Sequence, residues 1–178
     1  MRVISGKWRG RALQAPAGQA TRPTSDRARE AIFSMLTSRL GTFEGLDVLD
    51  LFAGTGALGI EALSRGAGNA CFVESDAAAA KAIKANLAAL GAAGDVRQSP
   101  VTSLGSAPRA HHLVFLDPPY GQGLVDPALT HLNARGWIAP AAIISIETAA
   151  SEAIACDWEI LVERRFGKAL VRLLRAPA

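Results

Sequence analysis

Two short stretches carry residues whose types and spacing could do chemistry. The first is Asp50-Leu51-Phe52-Ala53-Gly54-Thr55-Gly56-Ala57-Leu58-Gly59, a G-x-G-x-x-G pattern. It follows an apolar run and opens a helix-forming segment, the context that gives this pattern its meaning. Gly54 and Gly56 let the backbone turn tightly and approach a ligand, and Gly59 lets the helix pack on the strand. Glu74 stands twenty residues after Gly54, at the end of the next apolar run. A carboxylate there accepts hydrogen bonds from ribose hydroxyls, so the pair implies an adenosine-containing cofactor. The alternative is that the glycines serve packing alone. Asp50 decides between the two common cofactors of this arrangement. A carboxylate beside the loop repels a pyrophosphate, as in NAD, and attracts an ammonium or sulfonium. The loop therefore reads as a seat for the methionine end of S-adenosylmethionine.

The second stretch is Asp117-Pro118-Pro119-Tyr120, directly after the apolar run Leu113-Val114-Phe115-Leu116. Two prolines at a strand end hold the backbone extended and cannot donate hydrogen bonds. The turn thus presents acceptors, the Asp117 carboxylate and the Pro118 carbonyl, beside the aromatic face of Tyr120. Two acceptors plus a stacking plane suit an exocyclic amine on a flat base. Such an amine is a poor nucleophile because its lone pair is delocalised into the ring. Accepting its protons while aiming it at a methyl group restores density to nitrogen, with no covalent nucleophile. The alternative is a proline turn that merely ends a strand.

The surrounding elements must hold these stretches together. Apolar runs at 48–52, 70–74, 95–98, 113–116 and 142–146 alternate with helical patterns at 56–65, from Asp76 to Gly91, and at 124–133. Strands alternating with helices demand a parallel sheet covered on both faces. Residues 159–163 and 170–174 read as a closing antiparallel pair, so the chain is α/β with a mostly parallel seven-stranded sheet and a C-terminal hairpin. Ligands in such sheets sit at the carboxyl ends of the strands, where both stretches fall. Ahead of the sheet, residues 2–14 read as a small hairpin turning at Gly6 and Gly10. A Pro- and Gly-containing linker follows, and then a helix capped near Thr24-Ser25-Asp26. This divides the chain into a basic hairpin and linker, 1–23, and a catalytic domain, 24–178.

At 178 residues with 49% hydrophobic and 20% charged side chains, the chain can bury a full core. No apolar run reaches the roughly 18–20 residues of a membrane span, and the N-terminus has no apolar signal region. Cys71 and Cys156 lack C-x-x-C spacing or an adjacent histidine, which excludes a disulfide scaffold, predicts no metal, and fits the cytoplasm. Charge is segregated. Residues 1–29 hold seven bases (Arg2, Lys7, Arg9, Arg11, Arg22, Arg27, Arg29) against Asp26, and residues 164–178 hold five against no acid. The span between holds seven bases against fifteen acids. Each basic end could face a polyanion or be ordinary solvated charge. Trp8 among Lys7, Arg9 and Arg11 suits RNA, with hairpin packing as the alternative. His111, His112 and His131 read as structural, with His112 a faint candidate beside the Asp117 strand. Trp137 and Trp158 read as packing, and Asn86 as a solvent-facing helix residue.

Asp-Pro-Pro-Tyr resembles the [DN]-P-P-[FYW] motif of amino-methyltransferases, which DNA adenine-N6 and RNA guanine-N2 methylases share. The whole chain resembles the small bacterial 16S ribosomal RNA guanine-N2 methyltransferases, the RsmD family. RVISGKWRGRAL, RPTSDRAREAIFSML, LDLFAGTGALGIEALSRGA, VESD, FLDPPY and Gly136-Trp137 occur in family order over nearly its full length. The combination is specific where each motif alone is not.

The resemblance implies a Rossmann-like methyltransferase fold that uses S-adenosyl-L-methionine and releases S-adenosyl-L-homocysteine. It implies that Gly54, Thr55 and Gly56, with the backbone of Phe52 and Ala53, line the methionine moiety beside Asp50. Glu74 and Ser75 would serve the ribose, and Thr24 the methionine carboxylate. Asp117, Pro118, Pro119 and Tyr120 would hold the guanine. Family members place Asp or Asn near the adenine amine; here Gln98-Ser99-Pro100-Val101 stands instead, leaving Ser99 or a backbone group for that contact. The basic hairpin, with Arg2, Lys7, Trp8, Arg9, Arg11 and Arg22, becomes an RNA-docking element. The implied partner is ribosomal RNA within a small-subunit particle, met by a monomeric enzyme away from membranes. Two rivals are a DNA adenine-N6 methylase, which needs a recognition domain too large for any segment here, and a non-catalytic RNA-binding assembly factor. A dinucleotide oxidoreductase would need a second half-site that the chain lacks.

Overall fold

The computed structural model describes residues 1–16 and 26–178. Thr24 and Arg22 lie outside the described residues. The elements run α1 (Asp26–Leu40), β1 (Asp47–Leu51), α2 (Ala57–Ser64), β2 (Asn69–Glu74), α3 (Ala77–Leu90), β3 (Asp95–Gln98), a 3-10 turn (Val101–Ser103), β4 (His111–Leu116), α4 (Val125–Ala134), β5 (Ile138–Ala149), β6 (Glu159–Phe166) and β7 (Ala169–Arg175). One seven-stranded sheet has the order β3-β2-β1-β4-β5-β7-β6, parallel from β3 to β5. β7 enters antiparallel between β5 and β6. This is the expected α/β architecture, and chain order reverses between β1 and β4, the place where such sheets bind ligands.

Alternation along the parallel strands divides the core in two. Val48, Phe72, Phe115 and Ile143 face one helix layer with Ile32, Phe33, Ile60 and Ile83. Leu49, Val73, Val114 and Ile144 face the other with Leu129, Leu132 and Trp137. Trp137 is fully buried, as packing requires, and donates from its indole to the Gly105 carbonyl. β5 is longer than the apolar run at 142–146, because its start pairs with His111 and its end with β7. His112 accepts from the Asp47 amide at the amino end of β4, the end opposite Asp117, which removes it from the site.

The N-terminal segment turns as expected, but with a single ladder bridge, Arg2 to Ala12. It is fastened instead to the helix layer. The buried Glu61 carboxylate accepts from the amides of Ile4 (2.8 Å) and Ser5 (2.9 Å) and pairs with Arg65 (2.9 Å). Ser64 accepts from the amides of Lys7, at its carbonyl, and Trp8, at its hydroxyl. Val3 and Leu13 join the core. Asn86 corrects the reading as a solvent-facing residue. It is buried, accepts from the Gln14 amide, and donates to the carbonyls of Gln14 and Thr55. A lone asparagine on an alanine-rich helix looks solvated until a second segment lies over it.

Gly6 sits at φ +84°, and a Cβ there would lie 1.8 Å from the Ser64 carbonyl oxygen. We expect Gly6→Ala to force the hairpin off α2 at a cost of about 1–3 kcal/mol. Glu61→Gln, which leaves the buried amides one acceptor short, should cost a similar ~1–3 kcal/mol. Urea unfolding and limited proteolysis check this. Midpoints within error of the parent, with no new cleavage in residues 1–16, would mean the hairpin is held by something else.

Candidate active site

The carboxyl ends of β1, β2, β4 and β5 enclose a cavity of about 480 Å³, inside the range of small-ligand sites. β1 ends in an irregular turn that its sequence dictates. Phe52 takes φ +55°, Gly54 +56° and Gly56 +76°, all left-handed. Gly56 then opens α2, and the Gly59 amide donates to Asp50 Oδ2 at 2.8 Å. A Cβ on Gly59 would stand 2.4 Å from the Phe72 ring, so the third glycine is required by packing against β2.

Glu74 closes the turn from the neighbouring strand. Its Oε2 accepts from the Gly54 amide and its Oε1 from the Asp76 amide, both at 2.8 Å. Asp50 is fully buried, and burial pushes its carboxyl well above the usual range. The Gly59 hydrogen bond opposes that shift, while the charges of Asp117 and Glu74 add to it.

Register puts the acidic residues in line. Asp50 pairs with Phe72 on one side and Phe115 on the other, and Phe115 pairs with Ser145. Two residues further along β2 and β5, on the same face by the strand's period of two, stand Glu74 and Glu147, while Phe52 and Asp117 lie just past the ends of β1 and β4. Glu147 lines the cavity and accepts from the Tyr120 hydroxyl at 2.5 Å. Pro118 is buried and Pro119 exposed.

Of the residues singled out in the sequence, Asp50, Phe52, Ala53, Gly54, Thr55, Glu74, Ser75, Asp117, Pro118, Pro119 and Tyr120 line this one cavity. Gly56 shapes the turn without lining it. Ser99 lines a smaller adjoining cavity of about 140 Å³ with Pro100, Val101 and Leu124, sharing Phe52 and Ser75 with the first. The Ser99 hydroxyl donates to the Pro100 carbonyl and its amide to the Glu74 carbonyl.

Arg2, Lys7, Arg9 and Arg11 are exposed on the hairpin. Arg2 donates to the Gly10 carbonyl and Arg11 to the Ala89 carbonyl, while the Lys7 ammonium lies 5.4 Å from the Trp8 ring centre. On the C-terminal hairpin the largely buried Arg172 pairs with Glu163 and also donates to the Thr148 hydroxyl, while the exposed Arg175 pairs with Glu159.

Among the cavity residues that the sequence reading did not place in the site, three carry chemistry of their own. Glu147 carried a signal, a lone carboxylate ending the apolar run Ile143-Ile144-Ser145-Ile146, but only the strand order sets it beside Asp117. Arg29 is fully buried on α1. Its Nη2 donates to Asp26 and to the Arg2 carbonyl at 2.6 Å each, while Nε and Nη1 have no hydrogen-bond partner among the described residues. Met1 also lines the cavity and accepts from the Thr55 hydroxyl at its sulfur. The hairpin therefore borders the site and is not remote from it.

Comparison with known proteins meets this geometry. Residues 1–175 match the family model described as conserved hypothetical protein 95. Ribosomal RNA small subunit methyltransferase D of Escherichia coli K12 is 36% identical over 100% of this chain and 91% of its own length. The chain belongs to this family. The enzyme of the same name from Haemophilus influenzae is 35% identical, covering 97% of this chain and 92% of its own. The solved structure of the E. coli protein yhhF superposes with a TM-score of 0.87 at 37% identity, covering 100% of this chain and 98% of that one. The family resemblance seen in the motifs is thereby established across the chain, with the Rossmann-like methyltransferase fold.

Because the Asp50 pKa is raised in the fold, the folded protein holds that proton more tightly than the unfolded chain. The burial cost is absent below the ordinary carboxylate value and grows as pH rises toward the folded one. Asn is neutral throughout, and its amide oxygen can still accept from Gly59. We expect Asp50→Asn to be more stable than the parent in ligand-free protein, by a margin that widens over the interval from about pH 4 upward. Denaturant midpoints across that interval measure it. Parallel curves would mean Asp50 carries no burial cost.

Proposed function

We propose that this protein transfers a methyl group from S-adenosyl-L-methionine to the exocyclic N2 of a guanine in 16S (small-subunit) ribosomal RNA, releasing S-adenosyl-L-homocysteine. The observation that carries the reading is one cavity shared by the glycine turn, with Asp50 and Glu74, and by Asp117-Pro118-Pro119-Tyr120. Membership of the family supports the ribosomal RNA substrate. The RNA is met in the cytoplasm, within a small-subunit particle, by a monomeric enzyme.

The residues present fit the cofactor. Glu74 makes the turn acidic, and a cationic ligand beside Asp50 would draw out its carboxylate form, so the turn favours a sulfonium and an ammonium over a pyrophosphate. The buried Arg29 guanidinium, with Nε and Nη1 unpaired among the described residues, is suited to the methionine carboxylate. Thr24, the residue the motifs assign to that carboxylate, precedes α1 by two positions. Glu74 and Ser75 would hold the ribose, and the smaller cavity beside Ser99 would take the adenine. The Ser99 amide and hydroxyl are already engaged within the chain, which favours a backbone group nearby for the adenine contact.

When bound, S-adenosyl-L-methionine supplies an electrophilic methyl on a positively charged sulfur. The chain supplies orientation. The Asp117 carboxylate and the Pro118 carbonyl accept the two protons of the amine, so its lone pair points away from them. Tyr120 offers its ring to the base. Asp117 can take the proton that nitrogen sheds and pass it to water. No deprotonation is needed beforehand, because electrostatic support at the nitrogen grows as positive charge develops there. Mapping N2-methylguanine in ribosomal RNA from cells with and without the gene tests the reading; identical maps would overturn it.

Two further outcomes are expected. Asp117→Ala should lower turnover by about 10²–10³-fold, the loss typical of one oriented hydrogen bond at a reacting centre. Calorimetric affinity for S-adenosyl-L-homocysteine should barely change. Turnover within a few-fold of the parent would mean Asp117 does not orient the amine. On the hairpin, deleting residues 1–14 would confuse two effects, since Met1 borders the cavity and Asn86 links Gln14 to Thr55. Lys7→Ala with Arg9→Ala is the cleaner variant, as both are exposed. It should weaken RNA binding and reduce the log–log salt slope by about 1–2, with unfolding midpoint and cofactor affinity unchanged. An unaltered salt slope would leave the hairpin a purely structural cover.

A further inference from the structure

Glu147 has no part in the mechanism above, yet it stands where the base must sit. Leu116 on β4 pairs with Ile146 on β5, so the next residues along, Asp117 just past β4 and Glu147 within β5, follow directly from that pair. Both line the cavity. Adjacent strands lie about 4.8 Å apart, which brings the second carboxylate within reach of the atom beside the one that Asp117 holds. We propose that Glu147 selects guanine by accepting its N1–H while Asp117 accepts from the N2 amine. The inference rests on the guanine-N2 reading and adds the basis of its base specificity.

The chemistry of the bases singles out this contact. On guanine the exocyclic amine is flanked by N1–H, so two donors stand side by side. On adenine and cytosine the amine is flanked by a ring nitrogen that can only accept. Among the described residues, the wall formed by two carboxylates and the Pro118 carbonyl presents acceptors. It matches the guanine edge and sets lone pair against lone pair for the other two bases. Tyr120 fixes this wall. Its hydroxyl donates to Glu147 Oε1 at 2.5 Å. A carboxylate accepts about four hydrogen bonds, so Glu147 can hold the tyrosine and still accept from N1–H. The same bond ties the ring of Tyr120 to the carboxylate that reads the edge, so that stacking and edge reading share one geometry.

The plain alternative is that Glu147 only orients Tyr120. The two are separated by 2-aminopurine, which keeps the 2-amine but carries an acceptor at N1. Small-subunit particles are assembled on RNA with either guanine or 2-aminopurine at the mapped position, and kcat/KM is measured on both. The parent should favour guanine by about 10²-fold or more, because a site built to accept a hydrogen bond rejects an analogue that lacks the donor. Glu147→Gln, whose amide can also donate, should lose activity on guanine and shrink the preference to within about tenfold. Tyr120→Phe should lower activity on both bases and leave most of the preference. Unfolding midpoint and S-adenosyl-L-homocysteine affinity, both unchanged, certify the variants.

A parent that takes both bases within about threefold overturns the inference while leaving the N2 reading in place, as does an equal loss on both bases in Glu147→Gln. Should Glu147→Gln not fold, the comparison of the parent with Tyr120→Phe still decides. A preference abolished by Tyr120→Phe assigns selection to the tyrosine instead. A parent inactive on guanine removes both readings together.

Discussion

The hydrogen bond from the Gly59 amide to the buried Asp50 carboxylate joins the end of β1 to the first turn of α2, and the geometry of the site hangs on it. It can form only because position 59 lacks a Cβ, which would strike the Phe72 ring from β2. With helix and strand locked at that distance, the intervening residues must turn within the left-handed region, which Gly54 and Gly56 adopt readily and Phe52 adopts under strain. The loop is therefore a consequence of close helix-to-strand packing, and its openness to a ligand follows from the same missing side chains. The glycine pattern and the acid before it form a single mechanical unit.

Glu74, Asp50, Asp117 and Glu147 come from the ends of four strands that lie side by side in the order β2, β1, β4, β5. Like charges at such spacing repel, and the raised pKa of Asp50 records part of that repulsion together with its burial. The protein offsets the cost with backbone amides at Gly54, Gly59 and Asp76 and with the Tyr120 hydroxyl. Partial dipoles moderate a cluster of anions without neutralising it. What remains is a cavity wall rich in acceptors. The Arg29 guanidinium is the cavity's buried positive charge among the described residues.

Much of this was legible from the chain because the decisive signals are local. A glycine pattern after an apolar run fixes a strand, a turn and a helix within about ten residues, and a proline pair fixes a strand end. Both motifs fell at the carboxyl end of the sheet because alternating strands and helices leave little choice of topology. The residues that escaped depend on contacts between distant segments. Asn86 looks solvated on an alanine-rich helix until Gln14 lies across it. Arg29 looks like one more surface base in a basic stretch until the hairpin covers it and the Arg2 carbonyl accepts a hydrogen bond from its Nη2. Glu147 acquires meaning only when β5 is known to lie beside β4. Spacing along the chain carries none of these adjacencies.

The N-terminal hairpin shows how far such long-range contacts tie recognition to chemistry. Its outer face presents Lys7 and Arg9, while its inner face is bound by Glu61 and Ser64 on α2 and by Asn86 on α3. α2 is the helix that Gly59 anchors to Asp50, and Asn86 also holds the carbonyl of Thr55 in the glycine turn. A force on the hairpin's outer face therefore reaches the turn through two independent paths of hydrogen bonds, each ending on a residue beside the cavity. Had the hairpin been a separate appendage on a loose linker, its charge could vary without consequence for the turn. Because Val3 and Leu13 are packed into the same core as Phe72 and Ile60, the surface that could meet a polyanion and the turn that could seat a cofactor are two sides of one rigid layer. A polyanion on the outer face is then held at a fixed distance and angle from the acidic strand ends, which is what delivering a single base into the cavity requires.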